Sequence, residues 1–188
     1  MREDLISYLI TDPKYYSNDK NVFERNIRRV LKTKKVDIAC FRDKESENFK
    51  ELAKVFVKVC KEFKIEKILI NGHYKLAKKL GATGVHLTSL QFEKIKKAKE
   101  LDLYTVISCH NYDDIEKAQN LYVNAITYSP IFHSPNKGEP KGIDKLKEAT
   151  RIYEDIHIIA LGGIIDEEHI NKISNTKAHG FASIRYFI

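Results

Sequence analysis

The chain has 188 residues, 43% of them hydrophobic, and carries a formal charge of +7. This length and composition suit one domain over residues 1–188 with a single core, and the absence of any composition break excludes a second. No window approaches the roughly 18 apolar residues of a membrane span, and Arg2, Glu3 and Asp4 precede only a short apolar run, so a cytoplasmic protein with no membrane partner is expected.

The lysines fall on predicted helices, as at Lys94, Lys96, Lys97 and Lys99, and no basic face is interleaved with aromatic residues. Nucleic-acid binding is therefore not expected. Cys40, Cys60 and Cys109 lie far apart with no Cys-x-x-Cys pair, which argues against both a disulfide framework and a zinc knuckle.

In chain order, Leu5 to Thr11 reads as a strand, with Asp12-Pro13 as a breaker. Phe23, Ile27, Val30 and Leu31 recur at helical spacing, and Val36 to Phe41 is the second strand. Ser46 is the expected cap of a helix whose stripe Phe49, Leu52, Ala53, Phe56, Cys60 and Phe63 is core packing. Ile68 to Ile70 is a strand, and Tyr74 to Leu80 is a helix stopped by Gly81. The strands Val85 to Leu87 and Tyr104 to Cys109 flank a helix carrying Phe92, Ile95 and Ala98. Asn111 can cap the next helix, before a strand from Ala125 to Ile131 and a loop with Pro135, Gly138, Pro140 and Gly142. A helix with Leu146, Ala149, Ile152 and Tyr153, a strand Ile156 to Leu161, a helix from about Asp166 to Ile173 and a strand Gly180 to Ile184 complete the pattern.

Eight apolar strands alternating with helices through short connections predict an α/β fold, a parallel (β/α)8 TIM barrel. The chain stops at Ile188, so the last helix is expected to be short or missing, with strand 8 shielded by another subunit or by the N-terminal segment.

In such a barrel the residues just after each strand share one rim, where active sites sit. Those ends present Thr11 and Asp12; Arg42 and Lys44; Asn71 and His73; Thr88 and Ser89; Ser108 and His110; Ser129, His133, Ser134 and Lys137; Gly162 and Gly163; and Arg185. Cys40, Arg42 and Lys44 share parity, which aims two cations at the mouth, fit for a carboxylate or phosphate. Gly162-Gly163 lets backbone amides approach an anion. His110 ends the apolar run Val106-Ile107-Ser108-Cys109 and is the first candidate for acid/base chemistry; His73 and His133 share the rim, and His86, inside a strand, reads as a core residue. No pair of these histidines has metal-ligand spacing, so neither a metal nor a cofactor is expected.

At Tyr8-Leu9-Ile10-Thr11-Asp12, Phe41-Arg42-Asp43-Lys44, Gly84-Val85-His86-Leu87, Ser108-Cys109-His110, Pro130-Ile131-Phe132 and Ala160-Leu161-Gly162-Gly163-Ile164, the chain resembles the thiamine phosphate synthase superfamily. Within it, the Ser-x-His segment is similar to the TenI branch of thiazole tautomerases. In the synthase an Asn-Asp pair after strand 3 and an Asp after the Gly-Val-His-Leu segment hold magnesium; here Gly72 and Gln91 stand at those positions, and the Thr-x-Thr-Lys loop survives as Ser134-Pro135-Asn136-Lys137. Without that ion, expulsion of diphosphate loses its main charge neutraliser, worth several kcal/mol.

The resemblance therefore implies a metal-independent tautomerase of thiamine biosynthesis that aromatises a phosphorylated thiazole carboxylate, with His110 as acid/base. Arg42, Lys44, Asn71, Ser108, Ser134 and Lys137 would bind substrate, and Gly162, Gly163 and the amides of Ile184 and Arg185 would hold its phosphate; Arg185 departs from the family's small hydroxyl residue. A homodimer is the implied assembly. Thiamine phosphate synthase, joining a pyrimidine diphosphate to thiazole phosphate, is the alternative, and a non-catalytic thiazole-phosphate-binding or regulatory protein is a third.

Overall fold

In a barrel each strand is covered on both faces, so its inward and outward residues can all be apolar, and the sequence follows that rule. The computed structural model describes residues 4–135 and 137–188. Its strands are β1 (Ile6–Ile10), β2 (Ile38–Phe41), β3 (Lys67–Asn71), β4 (Gly84–Leu87), β5 (Tyr104–Cys109), β6 (Ala125–Tyr128), β7 (His157–Leu161) and β8 (Gly180–Ser183), all parallel and closed in that order. The helices are α1 (Pro13–Tyr16), α2 (Lys20–Thr33), α3 (Phe49–Glu62), α4 (Tyr74–Leu80), α5 (Ile95–Lys99), α6 (Tyr112–Asn120), α7 (Gly142–Ile152) and α8 (Glu167–Ser174). This is a (β/α)8 TIM barrel.

Closure is made by β1, whose Tyr8 lies level with Ile38 on one side and Ala182 on the other. Outward residues such as Leu9, Phe41, Ile70 and Ile126 pack beneath the helices, while Tyr8, Ile10, Ile38, Cys40, Leu69, Val106, Ala125, Ile159 and Ala182 fill the cylinder.

Several local expectations hold: Asn111 caps α6 by accepting from the Asp114 amide, and Gly81 ends α4 in the left-handed region. Asp12-Pro13 does end the strand, and beyond that reading Pro13 opens helix α1, because its missing N–H costs nothing at the first helical position and Asp12 caps the turn. Others need correction. Ser46 does not cap α3: Asn48 occupies that position, Asp43 accepts from the Glu45 and Ser46 amides, and the buried Ser46 hydroxyl has no partner among the described residues. Strand β6 ends at Tyr128 instead of Ile131, as Pro130 has no N–H for the ladder.

After β8, where a further helix would follow, the structure has a 3₁₀ turn at Arg185–Phe187. Its cover comes from the N-terminal segment. The Tyr16 hydroxyl donates to the Phe187 carbonyl (3.2 Å), both side chains are buried, and the Phe187 ring stacks on Phe181.

Near the top of the cylinder the apolar filling gives way to a polar cluster. His86 is 3% exposed; its Nδ1 lies 2.7 Å from the Tyr8 hydroxyl and its Nε2 3.1 Å from Ser108 Oγ and 3.4 Å from Thr127 Oγ1. His86 is thus the satisfied core histidine that its position implied. Burial, assisted by the charge of Arg42, lowers its pKa from 6.5 to about 4, so the folded protein holds the ring neutral. Between pH 6.5 and 4 the unfolded chain binds the extra proton, so this contribution to stability is complete above pH 6.5 and declines as pH falls toward 4. Urea titrations at pH 7 and pH 5 should therefore show His86→Gln losing about 2 kcal/mol less stability on acidification than the wild type; equal losses would refute the assignment.

Candidate active site at the barrel mouth

Two residues beyond Cys40, Arg42 keeps inward parity and reaches the mouth at the end of β2. It does not arrive as a free cation. One guanidinium nitrogen pairs with Asp12 at 2.7 Å, both side chains about a quarter exposed, and the Arg42 amide donates to Thr11 Oγ1. The guanidinium has five N–H groups in all, so donors remain for a ligand.

Lys44 lies past the strand and turns elsewhere. With Phe49, Asn71, Gly72, His73, Thr88, Gln91 and Lys94 it lines a groove of about 820 Å³ at the carboxyl ends of β2, β3 and β4. Asn71 donates to the His86 carbonyl at 3.1 Å. The His73 ring packs on Phe49 with centroids 4.9 Å apart, and partial burial together with the charge of Lys94 lowers its pKa.

Gly72 and Gln91 offer this groove no carboxylate for a divalent cation, although Asp43, Glu47 and Glu51 also line it. Gln91 Oε1 accepts from the Thr88 amide (3.1 Å) and its Nε2 donates to the Gly72 carbonyl (3.3 Å), so the carboxamide is committed to the protein on both sides. A side chain begun at Gly72 would meet Gln91 Oε1 at 3.5 Å, which places the two non-carboxylate positions side by side, with the Lys94 ammonium on the same groove. Among the described residues no group of three or more His, Cys, Asp or Glu side chains could hold a metal ion. Hard cations of this class need several oxygen ligands, carboxylates above all.

His110 occupies a different sector. Its backbone N–H donates to Asp114 (2.8 Å), and Nδ1 lies 3.2 Å from the Ser129 carbonyl and 3.3 Å from Ser129 Oγ. A ring N–H at Nδ1 can donate to that carbonyl, which leaves Nε2 with its lone pair free; no described residue partners it. Ser108, two residues earlier on the same face of β5, points down to His86.

Gly162 and Gly163 follow. Both have left-handed φ (101° and 71°), and a Cβ on Gly163 would come within 2.5 Å of the His133 carbonyl. Close packing of the loop after β6 thus explains these glycines in the first place. The loop is fastened by Ile131 N–H to the Leu161 carbonyl, Phe132 N–H to the Gly162 carbonyl and Lys141 N–H to the Pro130 carbonyl. Among the described residues no carbonyl accepts from the Gly163 or Ile184 amide, so both remain available at the mouth. Ile184 packs its side chain on the inner barrel cluster, and Arg185 begins the final 3₁₀ turn with no side-chain partner among the described residues. Ser134 and the exposed Lys137 lie on the loop, joined by the Lys137 amide donating to the Ser134 carbonyl; Asn136 is outside the described residues.

The sequence-derived residues therefore share one rim but not one pocket. Lys44 and Asn71 line the β2–β4 groove, whereas His110, Gly163 and Ile184 stand along the β5–β8 arc, with Arg42 at β2. Sequence reasoning passed over Lys94 and Tyr8. Lys94 reads as one more helix-surface lysine, although its place three residues after Gln91 puts it in the same β4 loop; Tyr8 is the only inward residue of β1 able to hydrogen-bond, which parity alone marks.

The family model described as thiamine monophosphate synthase matches residues 7–187. A putative thiamine-phosphate synthase 2 of Aquifex aeolicus is 30% identical over 186 residues, covering 96% of each chain. The thiamine-phosphate synthase of Vibrio campbellii is 30% identical over 188 residues, 94% of this chain and 87% of that protein. Among solved structures, a thiamine phosphate pyrophosphorylase from Pyrococcus furiosus shares the fold with a TM-score of 0.81 at 20% identity, over 97% of this chain and 87% of that one. Matched from β1 to the last turn, the chain belongs to the thiamine monophosphate synthase family, which includes the TenI proteins.

Proposed function

We propose that the chain binds a phosphorylated thiazole carboxylate at the barrel mouth and moves a proton on it, as a thiazole tautomerase. The observation that carries this reading is the His110 imidazole, anchored through Nδ1 to the Ser129 carbonyl with Nε2 free above the rim. Nε2 takes a proton from one position of the ring and returns it at another, and the thiazole becomes aromatic. No bond to a leaving group breaks and no electrons are exchanged with a second molecule, so the step needs no charge neutraliser for departing diphosphate. The Gln91 lock and the Gly72 backbone, where carboxylates would be required for magnesium, agree with such chemistry. The donors of Arg42 not taken by Asp12 would grip the carboxylate, and the Gly163 and Ile184 amides would receive the phosphate.

The second reading is thiamine phosphate synthase, and the names of the relatives favour it over isomerisation: proteins matching this chain nearly end to end are called thiamine-phosphate synthases. In that reaction a pyrimidine diphosphate is joined to thiazole phosphate, and the β2–β4 groove with Lys44 and Lys94 is where an anionic diphosphate would lie.

Incubation with the unaromatised thiazole carboxylate phosphate, followed by NMR, should show aromatisation that survives EDTA. His110→Ala should lower kcat by about 10²- to 10⁴-fold with little change in substrate affinity. Arg42→Ala should instead raise KM, by about tenfold or more for loss of a charged hydrogen bond. Magnesium-dependent diphosphate release from the paired synthase substrates, without aromatisation, would replace the first reading by the second; thiazole phosphate binding with neither turnover would leave a binding protein.

A further inference from the structure

The polar cluster beneath the mouth has a direction. Burial holds the Tyr8 hydroxyl well above its ordinary pKa, so the phenol keeps its proton. At 2.7 Å the acceptor for that proton is His86 Nδ1. Cys40, the other polar group beside the phenol, is a weak acceptor, and its own thiol faces the Phe41 carbonyl at 3.7 Å. A neutral imidazole that accepts at Nδ1 carries its hydrogen on Nε2, and the nearer partner there is Ser108 Oγ, at 3.1 Å against 3.4 Å for Thr127 Oγ1. Ser108 is then an acceptor on its inner side, and its own O–H has no acceptor among the described residues. Unlike His86, Tyr8 and Thr127, Ser108 is partly exposed, and it stands one inward step below His110 on β5.

We propose that Tyr8 and His86 form a buried relay that commits the Ser108 hydroxyl to donate into the mouth, where it holds an oxygen or ring-nitrogen acceptor of the substrate beneath His110. Ser108 touches the ligand; His86 and Tyr8 are positioning residues that act through it. The relay rests on the reading that a thiazole phosphate occupies the mouth, but its central claim is a tautomer that exists without substrate. In this arrangement the inner strand of hydrogen bonds supplies specificity, since a ligand lacking an acceptor at that point would strand the Ser108 proton.

Long-range ¹H–¹⁵N correlation of the labelled histidines at neutral pH reads the tautomer directly. His86 in the wild-type protein is expected with its hydrogen on Nε2, and Tyr8→Phe should shift population toward the Nδ1–H form. Calorimetric titration with thiazole carboxylate phosphate should find Ser108→Ala and Tyr8→Phe each about tenfold weaker. The double variant should be no weaker than the poorer single one, because both act on one hydrogen bond. An Nδ1–H tautomer in the wild type overturns the relay with no variant needed. So does unchanged affinity in Tyr8→Phe, or losses that add in the double variant. Failure of the wild type to bind the thiazole phosphate would count against the proposed function instead, with the tautomer still deciding the relay.

Discussion

Closing eight short strands into a cylinder is the constraint on which every other feature depends. A closed parallel sheet has no edge, so β1 must pair with both β2 and β8, and segments at the two ends of the sequence are forced together. The interior must then be filled by alternate residues from all the strands, and here it is filled with Ile, Leu, Val, Ala and Cys and with the rings of Tyr8 and His86, while Tyr104 packs against the same cluster. A 3₁₀ turn suffices after β8 because the same closure brings α1 to the end of that strand, where Tyr16 and Phe187 seal what a helix would otherwise cover.

Strand alternation and helical stripes were legible in the sequence because both follow from burial, and burial here is two-sided for strands and one-sided for helices. Parity also carried the inward position of Arg42. Past the strand end residue counting no longer fixes direction, and Lys44 lines the groove at the carboxyl ends of β2 to β4. Helix starts were mixed: Asn111 accepts from the Asp114 amide, as an Asn before an amphipathic run is expected to, whereas Ser46 lost its place to a local turn organised by Asp43. The division of the rim into a β2–β4 groove and a β5–β8 arc was not legible at all, because it depends on how loops lean across the mouth, and the pairing of Arg42 with Asp12 joins residues thirty positions apart.

The electrostatics of the rim follow the same division. On the groove side Lys44 and Lys94 share the lining with Asp43, Glu47 and Glu51, and the field of Lys94 bears on His73. On the arc side the Gly163 and Ile184 amides and His110 stand with the cations Lys137 and Arg185 on the flanking loops. Arg42 links the two, since its charge is felt inward at His86 and Cys40 while its fork faces the mouth. Family membership fixes the fold, and the chemistry has to be argued from the side chains at the rim.

The Gln91 carboxamide has a consequence for robustness. A carboxylate at that position could accept from the Thr88 amide but would face the Gly72 carbonyl with like partial charge, and only a bound cation could reconcile them. An amide satisfies both at once. The turns after β3 and β4 are thereby zipped to each other by covalently supplied hydrogen-bonding groups, and their shape owes nothing to the ionic make-up of the surrounding medium.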